Sequence, residues 1–290
     1  MTFVIAALAA IAAGGLVLWL ANRPQLIVVD AAVPDDFPAA DFSHEPFEAL
    51  LSAYVDGGGR VDYALWHASG ADREKLARYL AAVAAFSPEN APDRFPTRSA
   101  RLAYWLNAYN AYVVYSVLQH WPLNSVTDVK APLEVVTGLG FFWRQRFLFG
   151  GRPMSLYAVE NDVIRKTFRD PRIHFYLNCA SESCPVARPE LPTGPDLDDF
   201  LDRATADFVS DEANVRVDRD NRRIVLSDIF KWYRSDFAND LRRRGVASER
   251  PLVDYVIGVA PPALADELRD TDGYSVDFSG YDWGLNDAGR

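Results

Sequence analysis

Residues Phe3 to Ala21 form an uninterrupted run without a charge, FVIAALAAIAAGGLVLWLA, and this run constrains the chain more than any other feature. At 19 residues it is long enough to cross a hydrocarbon core of about 30 Å as a helix. Trp19 suits an interfacial anchor, and Arg23 and Pro24 close the run. A secretory signal is the rival reading, but its apolar part is usually shorter and follows a basic segment. No Lys or Arg precedes Phe3, so the pattern favours an uncleaved anchor. A buried core helix is the third reading, and the lack of a polar face counts against it. Arg23, after the helix, is a weak cue for a cytoplasmic body.

The rest of the 290 residues reads as a water-exposed body. A hydrophobic content of 49% is enough to bury a core, which excludes a disordered chain. A net charge of −10 argues against a nucleic-acid surface, because such a surface must replace phosphate counterions. The short basic runs Arg222-Arg223 and Arg242 to Arg244 therefore read as solvated faces. Two cysteines are too few for a disulfide scaffold or an all-thiolate zinc site. No phosphate-binding or dinucleotide glycine pattern occurs, and no cofactor is indicated.

Residues 24–41 hold three prolines and read as a tether, with one short strand at Leu26 to Val29. The body is expected over 42–287. Apolar stripes predict helices at His44 to Val55, Asp72 to Phe86 and Ser99 to His120. Phe147 to Phe149 followed by Gly150-Gly151 predicts a hairpin, and Leu156 to Phe168 a helix. Ile173 to Leu177 reads as a buried strand. Asp198 to Phe208, Asp228 to Phe237 (capped by Ser227), Pro251 to Val259 and Pro262 to Leu268 read as helices. A second hairpin joins Val215–Val217 to Ile224–Leu226. Helices outnumber short, late strands, so the expected class is α+β: one helix-rich globular domain after an N-terminal membrane helix.

Chemistry concentrates in Asp170 to Pro185, DPRIHFYLNCASESCP, which holds both cysteines and one of four histidines. Ser183-Cys184-Pro185 reads as a helix entry, where unpaired N–H groups would favour a thiolate. His174 could then act as base and Glu160 orient it, a Glu–His–Cys arrangement suited to acyl transfer or amide hydrolysis. Three other readings stand beside it. Cys179 and Cys184 can form a disulfide, since a spacing of five permits the required approach. His174, Cys179, Cys184 and Glu160 can bind zinc. Both thiols can also be inert and buried. Asn107 and Asn110 share one face of the longest helix, where they either order a neighbouring loop or line a cleft as oxyanion donors. Tyr281 to Asn286 reads as a docking segment for the chain end, and Phe141-Phe142-Trp143 as core or an apolar lid.

The blocks YWLNAYNAYVVYSVL, GGRPMSLYAVENDVIRKTFRDPRIHFYLNCASESCP, LSDIFKWYRSDF and YDWGLN resemble, in this order, the domain-of-unknown-function family 547, over about residues 42–287. The resemblance implies that Asn107, Asn110, Glu160, His174, Asn178, Cys179, Ser183 and Cys184 belong to its signature. Where the family shows a histidine after the glutamate, this chain has Asn161, which removes a second imidazole. The resemblance also implies a body outside the cytoplasm. It implies a site without a reaction: a Cys/His pocket, with Asn107, Asn110, Asn178 and Ser183 as pocket or oxyanion groups. The alternative is a noncatalytic binding or scaffold domain at the membrane, stapled by Cys179 and Cys184, with a small-molecule or peptide ligand.

Overall fold

The computed structural model describes residues 14–17, 19–134 and 136–289. Much of the N-terminal apolar run, residues 3–13 and 18, lies outside the described residues. Residues 14–17 and 19–21 are helical, and Leu16, Val17, Trp19 and Leu20 are exposed. Among the described residues no helix is long and apolar enough to cross a membrane.

The class is α+β, helix-rich, with two small three-stranded sheets. The first half is helical: α1 (Glu45–Tyr54), α2 (Tyr63–Ala68), α3 (Gly70–Ala85) and α4 (Arg98–His120). Their boundaries follow local chemistry. Asp62, Ser69 and Thr97 each accept a hydrogen bond from a first-turn N–H of α2, α3 and α4 respectively. The stripe Phe47, Leu50, Leu51 and Tyr54 of α1 meets Leu76, Tyr79, Leu80 and Val83 of α3 in one buried cluster. Helix α4 is buried nearly all round, which explains its 23-residue length without a polar face.

Segment 24–41 does not hang free. Strand β1 (Gln25–Leu26) pairs in parallel with β2 (Gln145–Phe149), which turns back through Gly150-Gly151 into β3 (Arg152–Met154). Both glycines have positive φ, and a Cβ on Gly150 would come within 2.2 Å of Ser87 Oγ. Ile27 and Val29 pack on the main core.

The second half builds its own apolar cluster under a sheet of β4 (Val215–Asp218), β5 (Arg223–Leu226) and β6 (Ser275–Phe278). β4–β5 is the expected hairpin, and β6 adds in parallel to β5. α5 (Leu197–Ser210), α6 (Asp228–Trp232), α7 (Arg234–Arg243), α8 (Pro251–Val259) and α9 (Pro262–Arg269) complete it.

Three local readings are corrected. Ile173 to Leu177 is not a strand: Pro171–Phe175 forms a 3-10 turn, because Asp170 caps it through Arg172 N–H and Pro171 sits at its start. The helix expected over Asp228 to Phe237 breaks at Tyr233, whose ring is held elsewhere, and resumes to Arg243. No helix follows Ser183-Cys184-Pro185. Pro185, Pro189, Pro192 and Pro195 keep that stretch extended until α5, so Cys184 has no helix terminus to favour a thiolate.

His44 precedes α1, and its Nδ1 lies 2.7 Å from the Tyr79 hydroxyl. Burial pushes its pKa down to about 3. The folded value lies below the unfolded one, so this contribution is full above pH ~6.5 and shrinks as pH falls. Between pH 7 and 5 the urea-unfolding free energy should fall by about 1 to 2 kcal/mol on this account. The variant His44→Gln should lose that part of the slope; an unchanged slope would refute the assignment.

Candidate functional site

The site is a cavity of about 460 Å³ between the two halves of the structure. That volume lies in the range of small-ligand pockets. Aromatic rings line much of it: Phe142, Trp143, Tyr157, Trp232, Tyr281 and Trp283. Phe142 and Trp143 come from a π-wound turn, Leu139–Arg144, whereas Phe141 of the same turn points into the core. The chain end brings Tyr281 and Trp283. It is pinned by Leu285 N–H to Asn124 O, Asn286 N–H to Ala180 O and Tyr63 O–H to Asn286 Oδ1 at 2.9 to 3.1 Å. The expected docking segment is therefore also pocket wall.

At the polar end stand Glu160, Asn161, His174, Tyr109 and Tyr233. Glu160 and Asn161 lie on a second π-wound turn, Val159–Ile164, inside the helical stretch 156–168. Such a turn carries an extra residue and re-aims the side chains around it. His174 is fixed through its neighbour: Arg172 bridges Asp170, Asp198 and Asp202, at 2.8 Å and 2.7 Å for the latter two, tying the 3-10 turn to α5.

His174 Nε2 lies 2.9 Å from Asp236 Oδ2. Arg165 grips the same carboxylate with two bonds, Nε at 2.7 Å and Nη2 at 3.0 Å. Burial pushes the His174 pKa down, and Asp236 and Glu160 only partly oppose it. The ring is then neutral at pH 7, with Nε2–H donating to Asp236. Nδ1 makes no hydrogen bond among the described residues and serves as the acceptor. Burial tends to raise the Asp236 carboxyl, but the His174 and Arg165 bonds prevail and hold it well below the usual carboxylate range. Tyr233 stacks on His174 with ring centroids 3.6 Å apart, and its hydroxyl donates to Glu160 Oε1. Burial, reinforced by Glu160, pushes that phenol far up, so it remains a donor.

Cys179 and Cys184 are disulfide-bonded, with Cα atoms 6.2 Å apart, and both line the cavity. Cys179 N–H and Tyr281 O–H donate to Cys184 Sγ at 2.9 Å and 3.1 Å. Attack by Cys184 would therefore need prior reduction. Glu160 is bonded to Tyr233, and the group bonded to His174 is Asp236.

The asparagines order backbone. Asn107 donates to Pro192 O at 2.9 Å and accepts from Tyr176 O–H. Asn110 accepts from Asn178 N–H at 3.0 Å and donates to Tyr176 O. Asn178 clasps the cysteine loop, donating to Pro185 O at 2.6 Å and accepting from Ala180 N–H. Ser183 Oγ accepts from Asp282 N–H at 2.8 Å and so ties the loop to the chain end. None of these four side chains lines the cavity. Asn161 accepts from Arg165 and donates to Tyr157 O at 3.0 Å. Among the described residues no group of three side chains is set to hold a metal ion.

Asp236 and Arg165 join the site through His174 and were not anticipated from the sequence. Asp236 stands in the quoted block LSDIFKWYRSDF, but its partner His174 lies 62 residues away. No local spacing connects them.

Residues 93–209 match the model of the family described as protein of unknown function, DUF547. The resemblance is thus shown over the segment that holds Asn107, Glu160, His174 and the cysteine pair. Asp236, Tyr281 and Trp283 lie beyond the match. No curated protein and no solved structure matches the chain.

Proposed function

We propose that this chain is a membrane-anchored binding domain whose aromatic cavity takes a small ligand and whose disulfide braces the cavity wall. One observation carries the reading: the cysteines are bonded to each other in the wall, and hydrogen bonds from Tyr233 to Glu160 and between His174 and Asp236 frame its polar end. A frame of this kind presents fixed partners to a ligand, namely the Glu160 carboxylate and His174 Nδ1. Thiol-dependent acyl transfer or amide hydrolysis is the second reading. Reduction of the disulfide would release Cys184 beside two donors already directed at its sulfur.

The anchor rests on the 19-residue run and on how its end meets the body. Asn22, one residue past the run, exchanges two hydrogen bonds with the backbone of Leu133, at 2.8 Å and 3.2 Å. Leu133 and Val136 are exposed, and Val136 lines the cavity beside the exposed Trp143. The cavity rim thus lies close to the end of the apolar run, and the ligand arrives at the membrane surface. Membrane fractionation tests the anchor. High-salt and carbonate washes should leave the chain in the pellet, and detergent should release it. Release by salt alone would remove the anchor from the reading.

A further inference from the structure

We infer that the cavity is selective for an alkylammonium amphiphile, a positively charged nitrogen head carrying an aliphatic chain. The inference rests on the binding reading above and names its ligand class. Charge comes first. Glu160 is an anionic side chain lining the cavity, and it forms no ion pair among the described residues. No lysine or arginine is among the lining residues, and His174, which is, is neutral at pH 7. The guanidinium of Arg165 is engaged by Asp236 through two bonds. A carboxylate or phosphate head would meet Glu160 without a compensating cation. An ammonium head would supply the missing partner.

Ring chemistry points the same way. Trp232, Tyr281 and Trp283 form one cluster, with centroids 4.6 to 5.9 Å apart, and Trp143 stacks on Tyr157 at 3.8 Å. Aromatic walls around a carboxylate suit an ammonium group, which gains from ring quadrupoles as well as from the charge. Val136, Leu177, Ile229 and Pro185 add aliphatic surface to the wall. Exposed Leu133, Val136 and Trp143 continue that surface toward the end of the apolar run. A head bound at Glu160 can therefore leave its chain along an apolar rim.

The test uses the full chain in lipid nanodiscs and follows tryptophan emission during titration. The probes are hexyltrimethylammonium, 1-hexanol, hexanoate and tetramethylammonium. Hexyltrimethylammonium should bind at least about tenfold more tightly than 1-hexanol or hexanoate. It should also exceed tetramethylammonium, since the chain adds buried apolar area. Glu160→Gln keeps an acceptor for Tyr233 and should erase the preference for the cation over 1-hexanol. Unchanged near-ultraviolet circular dichroism confirms that this variant is folded. Equal or tighter binding of 1-hexanol or hexanoate would overturn the inference and leave the binding reading standing. Tetramethylammonium binding as tightly as its hexyl homologue would overturn the amphiphile. If none of the four probes binds, the binding reading fails as well.

Discussion

Asp236→Asn is expected to destabilise the protein by about 3 kcal/mol, read as a lower urea midpoint at unchanged slope. Asp236 accepts from His174 Nε2 and from two nitrogens of Arg165. An asparagine offers one oxygen, so one of those donors would face its amide N–H₂. Arg165 would also lose its counter-ion while about three-quarters buried. Breaking a buried pair from one side typically costs about 3 to 5 kcal/mol. The lower figure applies because the Asp236 side chain retains 24% exposure. The pH dependence has a defined sign. A carboxylate held below its unfolded value stabilises above about pH 4 and loses that contribution as pH falls through the folded value. His174, pushed down by burial, loses its share as pH falls below about 6.5. Asp236→Asn should remove the acid-side loss below pH 4. A change under about 1 kcal/mol with an intact acid limb would show that the three groups do not act together.

The double substitution Cys179→Ser, Cys184→Ser should destabilise by about 2 kcal/mol, the value chain entropy gives for so short a loop. The loss is modest because Asn178 and Ser183 hold the same loop independently of the bridge. In a brace, the surviving folded fraction keeps its ligand. If the Cys184 thiol carries chemistry, Cys184→Ser abolishes turnover whatever its stability, whereas Cys179→Ser leaves the nucleophile free. Thermal unfolding with and without a reductant should reproduce the shift in the wild-type chain and leave the double variant unmoved. A double variant as stable as the wild type would contradict the bracing role.

Helices α1, α3 and α4 were legible in the sequence because each carries a local stripe, whereas the short α2 was not. Phe47, Leu50, Leu51 and Tyr54 repeat at helical spacing and all lie buried, as do Leu76, Tyr79, Leu80 and Val83. Both hairpins were legible from their turns. The 3-10 turn at Pro171–Phe175 was not, because five largely apolar residues suit a short strand or a turn equally well, and the Asp170 cap decides. The π-wound turn under Glu160 left no periodic trace to read. β6 was missed because its partner, β5, lies about fifty residues earlier and pairs in parallel. The site was legible only in part. The cluster His174, Cys179, Cys184 was visible as a dense polar block, whereas Asp236, Trp232, Tyr281 and Trp283 come from distant segments. Their role is set by packing of the second half against the first. For the two asparagines of α4, loop ordering is the reading the sequence favours over a cleft. Their bonds to the backbone of residues 176, 178 and 192 show the loop being ordered.

On the proposed reading the cavity wall holds a bonded cysteine pair and the site recognises its ligand rather than attacking it. Intact-mass analysis of the full chain tests it most directly, after alkylation with iodoacetamide at several pH values without reductant. The account predicts no adduct at any pH on the native protein, and two adducts only after reduction and unfolding. Rapid, pH-dependent addition of one label to the unreduced native chain, mapped to Cys184, would show an activated thiolate and contradict it.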